Sequence, residues 1–336
     1  MGRSTATLCA LGVLGSACGG KLVEESPSAR YNAIGALDAD GLVFHLAGGA
    51  DRSGPQADAW ALDLMHREWI RVEGPTRPLL SAASTRVGSA IWAFGGTDGD
   101  GQEVDDTVKW TVHGGTWATS AAEGSTEVPS PRREAAMVRL DAERVLLIGG
   151  NTDDDGDPGA TDAEIWGLTV EDGVWTELSA TSAGPSGLQR HAASHDAGIV
   201  WVHGGYDAEA VLQDHLWSLD TETWTWIEHT WTGEGPSARA DHMVVASDGL
   251  VYVWGGDVDD TDVWAYDPLL GEWTAAAAGG PVGRDAFAWD RVQGEPWAIV
   301  QGGDPRDDSG YLSDVWLLDL QDLIWTELFR TDGSSF

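Results

Sequence analysis

The amino-acid sequence points to an all-β fold, a six-bladed β-propeller with four antiparallel strands in each blade. Two repeated features carry that reading. A Gly-Gly pair closes an apolar run six times, at Gly48-Gly49, Gly95-Gly96, Gly149-Gly150, Gly204-Gly205, Gly255-Gly256 and Gly302-Gly303. After each pair comes a polar, acidic loop and then a Trp: Trp60, Trp110, Trp166, Trp217, Trp264 and Trp316. A second Trp follows nine residues later, at Trp69, Trp175, Trp226, Trp273 and Trp325. The second repeat departs, with Trp117 only seven residues after Trp110. Self-similarity at a period of about 50 residues marks a repeat architecture whose units bury their apolar faces on each other.

Each element has a local reason. The runs before the glycine pairs include Leu42-Val43-Phe44, Ala90 to Phe94, Val145 to Ile148, Ile199 to Val202, Leu250 to Trp254 and Trp297 to Val300. Short β-branched and aromatic runs suit strands. Apolar residues on consecutive positions imply burial on both faces, as between two flanking blades. The glycine pair fits a chain that leaves the strand at positive φ or passes close to another backbone. A buried Trp removes ~150–250 Å² from water, about 4–6 kcal/mol as an upper bound. The repeats run approximately over 29–76, 77–128, 129–185, 186–235, 236–281 and 282–330. The first repeat holds four strands from about Tyr31 to Val72, and the last ends near Phe329. The mode of ring closure stays open, with Lys21-Leu22-Val23 a candidate edge strand.

The amino terminus reads as an export signal over residues 1–17, followed by a tether over 18–28. Arg3 supplies the positive start and Ala6 to Leu14 the apolar run, too short to span a bilayer. Leu14-Gly15-Ser16-Ala17-Cys18 resembles a bacterial lipoprotein lipobox, in which the cysteine is lipidated, although Gly15 stands where that motif has Leu. Ordinary signal-peptidase cleavage also suits the small residues at 15 and 17. The only other cysteine, Cys9, lies inside the signal, so no internal disulfide can form. That favours Cys18 as an anchor. The expectation is an exported monomer, lipid-anchored at the outer membrane or cell surface, and otherwise periplasmic or secreted. The anchor would be its only membrane contact.

Strand, Gly-Gly, loop, Trp strand and final Trp together resemble the kelch repeat. Asp262-Val263-Trp264-Ala265-Tyr266-Asp267-Pro268 to Trp273, and Asp314-Val315-Trp316-Leu317-Leu318-Asp319 to Trp325, carry the likeness best. It extends from about Ser28 to Leu328. The resemblance implies that strand A is innermost, strand B ends in Gly-Gly, and strands C and D carry the two Trp. The D–A and B–C loops then share one face, where ligands of kelch proteins often bind. Arg30, Arg132, Arg190, Arg239 and Arg284 fall near the starts of strand A, with Arg133 beside Arg132 and Arg77 out of register. Their planar donor forks suit an anionic or sugar ligand. Alternatively they pair with Asp residues of the B–C loops and hold the face together. His242, three residues after Arg239, joins the candidate ligand-binding set.

The third B–C loop resembles the start of a calcium loop, with Asn151, Asp153 and Asp155 at alternate positions, Gly156 at the turn and Asp162 at the twelfth. Asp162 replaces the usual Glu and no helices flank the loop, so a solvated acidic loop is the other reading. Calcium is the only cofactor suggested. His191, His195, His203 and His242 have no zinc spacing and read as core or channel residues. No nucleophile motif, phosphate loop or dinucleotide fingerprint appears. Within the resemblance, kelch-type copper radical oxidases need a Cys–Tyr cross-link, and iron-dependent specifier proteins need Glu-x-x-x-Asp-x-x-x-His; the mature chain has neither. A sialic-acid-epimerase type is not excluded.

The 55 acidic and 19 basic residues give a net charge of −36, which disfavours nucleic acid as a partner. A content of 42% hydrophobic residues with 19 Trp argues against disorder. The functional expectation is a non-catalytic scaffold binding protein or glycan at the cell envelope. A sugar-processing enzyme of epimerase or mutarotase type, working at the channel mouth, is the alternative. A purely structural envelope component is the third reading.

Overall fold

A computed structural model of the chain describes residues 25–112, 115–120, 127–152, 163–276, 279–292 and 294–330. Six four-stranded antiparallel sheets follow one another in sequence order, each with strands A, B, C and D side by side. Blade 1 comprises Ile34–Leu37, Val43–Ala47, Ala59–Asp63 and Glu68–Val72. Blade 2 comprises Ala83–Val87, Ala90–Phe94, Thr107–Thr111 and Thr116–Ser120. Blade 3 is Ala136–Arg139, Arg144–Ile148, Ile165–Thr169 and Val174–Leu178. Blade 4 is Ala192–Asp196, Ile199–His203, Leu216–Asp220 and Thr225–His229. Blade 5 is His242–Ser247, Leu250–Gly255, Val263–Asp267 and Glu272–Ala276. Blade 6 is Ala288–Arg291, Trp297–Gly303, Leu312–Asp319 and Ile324–Phe329. A small hairpin, Ala50–Asp51 with Gly54–Pro55, decorates the first B–C loop. No helix among the described residues is long and apolar enough to cross a membrane.

The B strands are buried on consecutive residues, as their composition requires; Ala90–Phe94 is buried throughout. Side chains from neighbouring blades meet in shared cores. Phe44, Leu46 and Trp60 of blade 1, for example, pack with Ile299, Val315 and Phe329 of blade 6. In five blades the D-strand Trp lies opposite the residue two past the C-strand Trp, as in the pair Leu62 and Trp69. Nine-residue spacing follows from that register.

Blade 2 corrects one sequence alignment. Trp117 occupies the ordinary D position, but Trp110 stands directly opposite it, in the place that Leu62 holds in blade 1. Val108 takes the slot of Trp60. The two indoles compensate by stacking, with centroids 4.6 Å apart and planes at 11°.

Among the described residues closure uses no strand exchange: the first and last blades are each built from one continuous segment, and the candidate edge strand Lys21-Leu22-Val23 lies outside the described residues. Two cyclic sets of backbone hydrogen bonds join the blades instead. In the first, the N–H of each second glycine donates to a carbonyl at the entry of the next blade. The pairs are Gly49 to Leu79, Gly96 to Arg132, Gly150 to Leu188, Gly205 to Arg239, Gly256 to Arg284 and Gly303 to Arg30, at 2.7–2.9 Å. All twelve glycines of the pairs have positive φ. A Cβ on Gly204 would lie 2.5 Å from the Arg239 carbonyl oxygen, so the close approach itself excludes a side chain.

The second set runs in the opposite sense. Asn32, Ser81, Glu134, Arg190, Asp241 and Ala286, one from each blade, have φ between 51° and 60°. Each donates its N–H to the carbonyl of its counterpart in the preceding blade. The ring closes from Asn32 to Ala286 at 2.7 Å. Left-handed backbone at non-glycine residues costs roughly 1–2 kcal/mol each, and the six satisfied donors are what hold it.

Candidate functional site

The face shared by the D–A and B–C loops surrounds this second ring. Four of the five sequence-predicted arginines reach it but do not present themselves to solvent. Arg30, Arg132, Arg239 and Arg284 are at most 1% exposed. Each donates Nη1 to the first glycine carbonyl of its own blade at 2.9–3.0 Å. Each also donates Nε to the carbonyl two residues earlier, at 3.0–3.2 Å. The remaining donors meet a carboxylate beside strand C: Asp58, Glu164, Asp260 or Asp314. That acid in turn accepts from the indole N–H of the C-strand Trp at 2.7–2.9 Å. Between the two readings of these arginines, the geometry shows the pairing one. Each clasps a B–C loop to its strand A.

Arg190 needs a correction. Leu188, not Arg190, fills the clasp position of blade 4, as Leu79 does in blade 2. Arg190 lies two residues later, in the positive-φ ring. The clasp that matters in every blade is the backbone carbonyl, so the side chain there is free to be Leu. In blade 2 the corresponding acid, Asp106, pairs with Arg77, which explains that arginine's shifted register.

The mouth is formed by what remains. Arg190 pairs with Asp241 of the next blade, with Nε 2.6 Å from Oδ2. Burial would lower the Arg190 pKa, but the Asp241 carboxylate more than offsets this and raises it. Burial raises the Asp241 pKa, opposed by Arg190. Burial and the nearby Asp241 charge raise Glu134. Burial, Asp241 and Asp304 push Asp285 up to about 7. Arg306 Nε is 3.8 Å from Asp285, and Arg133 pairs with Glu103. Tyrosines stand beside these groups: Tyr31 and Tyr311 have centroids 4.6 Å apart, and the Arg190 guanidinium lies 5.8 Å from the Tyr206 ring. The mouth is therefore a ring of half-buried carboxylates and tyrosines with Arg133, Arg190 and Arg306 among them.

His242 is buried below this mouth. Its Nε2 lies 3.0 Å from His203 Nδ1. Burial holds His242 well below its ordinary range and puts His191 and His203 at about 3. All three are neutral in the folded protein at pH 7. His191 and His242 line a channel cavity of about 250 Å³ beneath the ring. Of the calcium set, Asn151 is buried and donates Nδ2 to Gln189 at 2.8 Å. Asp153, Asp155 and Asp162 lie outside the described residues, as does Cys18. Among the described residues no group of three His, Cys, Asp or Glu is arranged to hold a metal.

Sequence reasoning missed Glu134, Asp241 and Asp285 at the mouth. The available signal was their fixed offset from the clasp residue: Asp241 is two past Arg239, and Glu134 two past Arg132. It also missed Arg86, Arg139 and Arg291 at the other end of the channel, which share the offset of five residues from the ring.

Comparison with known proteins agrees with the geometry. A family described as the KLHDC2/KLHL20/DRC7 Kelch-repeats domain matches residues 81–289 and 141–335. Acyl-CoA-binding domain-containing protein 4 of Arabidopsis thaliana is 26% identical over 260 residues, covering 72% of this chain and 37% of the relative. Tip elongation aberrant protein 1 of Schizosaccharomyces pombe is 27% identical over 188 residues, 54% of this chain and 16% of that protein. Host cell factor 1 of Rattus norvegicus is 23% identical over 257 residues, 65% of this chain and 12% of that protein. The chain thus spans well under half the length of these relatives. With six four-stranded blades, glycine-pair clasps and a family match over most of its length, this chain belongs to the kelch-repeat family of β-propellers.

Proposed function

We propose that this propeller is a non-catalytic docking scaffold whose acidic mouth takes a Lys- or Arg-rich segment of a partner protein. One observation carries the reading. Four expected ligand-binding arginines are consumed internally, which leaves Glu134, Asp285 and Asp304 with Tyr31 and Tyr206 at the mouth, beside the Arg190–Asp241 pair, Arg133 and Arg306. Carboxylates attract cationic side chains, and tyrosine faces add cation–π contact. A net charge of −36 steers such a partner toward the protein. The test is anisotropy titration with an Arg/Lys-rich peptide and its Glu-substituted counterpart. The basic peptide is expected to bind, and an Asp285→Asn, Asp304→Asn double variant to weaken it at least fivefold. Failure of the basic peptide beside clear binding of a glycan on an array would transfer the function to glycan recognition.

Two further points belong to this proposal. Export with a lipid at Cys18 is supported by the Leu14 to Cys18 stretch. A Cys18→Ser protein should leave the membrane fraction, and unaltered partitioning removes the anchor. An epimerase-type activity at the same mouth is favoured by one observation, the Asp285 carboxyl held at about 7, in the range for proton transfer at neutral pH. Solvent-deuterium incorporation into a panel of amino and acidic sugars, lost in Asp285→Asn, would establish it.

A further inference from the structure

We propose a second binding site, for a small phosphate-type oxyanion, at the opposite end of the channel. The sites have no side chain in common. Strand A ends on Arg86-Val87 in blade 2, on Arg139 in blade 3, on His195-Asp196 in blade 4 and on Arg291 in blade 6. Arg86, Arg139, His195 and Arg291 each lie five residues past their blade's positive-φ residue. The propeller symmetry therefore sets them at one level of the channel. All four line the cavity of about 250 Å³. Three guanidinium groups and an imidazole converge there, in a chain carrying 55 acidic residues and only 19 basic ones.

One buried guanidinium donor of this set has no partner among the described residues. Arg291 is 7% exposed at its side chain, and its Nη1 is buried with no hydrogen-bond partner. Its Nη2 reaches the Asp196 carboxylate and the His195 carbonyl only at 3.5 Å. Arg86 donates Nη1 to the Gly88 carbonyl at 2.8 Å, near solvent. Burial lowers the Arg86 pKa, with the Asp290 carboxylate opposing and the nearby Arg139 charge adding to the fall. Among the described residues Asp290 is the only carboxylate lining the cavity. Its oxygens already accept from the backbone N–H groups of Leu37 at 2.7 Å and Arg291 at 2.8 Å. Asp196 faces Arg291, and the remaining acids near these arginines have other contacts. Asp38 accepts from Leu42 and Val43 in its own turn, and Asp40 and Asp248 are exposed on the rim. What the cavity offers is the unspent Nη1 donor of Arg291 within a cluster of three guanidinium groups, the complement of a tetrahedral oxyanion. Its volume is below the ~300–1,000 Å³ of drug-sized ligand sites, so the occupant is phosphate or a phosphate monoester of few atoms.

The test is calorimetric titration of the full chain with inorganic phosphate and, separately, glycerol phosphate, in low-salt buffer at pH 7. One site is expected. Arg291→Met and Arg86→Met should each weaken it at least tenfold, whereas Arg306→Met at the far mouth should leave it unchanged. Arg86→Met, at the solvent end, serves where Arg291→Met melts early. Stronger binding of the monoester identifies an organic phosphate as the occupant, and equal binding identifies free phosphate. No heat with either probe, equal affinity in both arginine variants, or displacement by chloride at matched ionic strength overturns the proposal.

Discussion

At the scale of single residues, the clasp arginines combine two duties, satisfying a glycine carbonyl and neutralising a buried acid. Arg284 does both most completely, with bonds of 2.5 and 2.9 Å to Asp314 and 3.0 Å to the Gly302 carbonyl. Removing one member of such a pair leaves the other charge buried alone. Arg284→Met is expected to lose about 3–5 kcal/mol of stability in urea unfolding. Arg284→Leu with Asp314→Val should recover most of that loss, because Leu79 and Leu188 already fill the clasp position in two blades. Titrating groups pull in opposite directions. The Asp285 pKa is raised to about 7 by burial and neighbouring acids, so its cost to folding is absent below pH 4 and complete above pH 7. Asp285→Asn should therefore be more stable than the natural chain by about 1–3 kcal/mol at pH 8, with the gap closing near pH 4. His191 has the opposite sign. Burial lowers it to about 3, so the unfolded chain binds its proton first and stability falls as pH drops below about 6.5. His191→Leu should flatten the acid limb of the stability curve by about 2–3 kcal/mol at pH 4.

At the scale of elements, three of the D–A loops carry a glycine that lies on the D-strand Trp of the following blade. Gly184 covers Trp226, Gly235 covers Trp273, and Gly280 covers Trp325. A Cβ on Gly184 would fall 2.6 Å from the Trp226 ring. Gly184→Ala is expected to cost about 1–3 kcal/mol by overpacking, and Trp226→Ala about 3–5 kcal/mol by leaving a void; chemical denaturation reads both. Glycine pairs, apolar B strands and most Trp positions were legible in the sequence, because each demands a particular residue type. The positive-φ ring was not. Asn32, Ser81, Glu134, Arg190, Asp241 and Ala286 share no chemistry, since a backbone contact selects the conformation and leaves the side chain free. The same freedom hid the mouth, and it let Arg190 pass for a clasp residue two positions out of place. Trp110 misled for a different reason. Its register is set by pairing with Trp117 across the hairpin, which spacing alone does not reveal.

At the scale of the whole molecule, self-repulsion accompanies a net charge of −36. Raising sodium chloride from about 0.01 to 0.5 M shortens the Debye length from roughly 30 Å to a few ångströms, so the melting temperature should rise over that range. The terminal blades meet through Asn32 to Ala286, Gly303 to Arg30 and the packing of Trp69 on Phe329 at 6.3 Å. Cutting blade 6 away should abolish the single cooperative melt seen by circular dichroism. Joining residue 330 to residue 25 by a short linker and opening the chain between Leu269 and Leu270, both strongly exposed, should preserve it.

The two hydrogen-bonded circuits give every blade a donor and an acceptor on each flank, so none of the six is an end piece. Gain or loss of a repeat could not proceed by small increments. A five-membered or seven-membered relative would have to re-angle every joint at once, and any intermediate would carry a pair of unmet valences at its seam. The count of six is thus a property of the circle and of no single wedge within it.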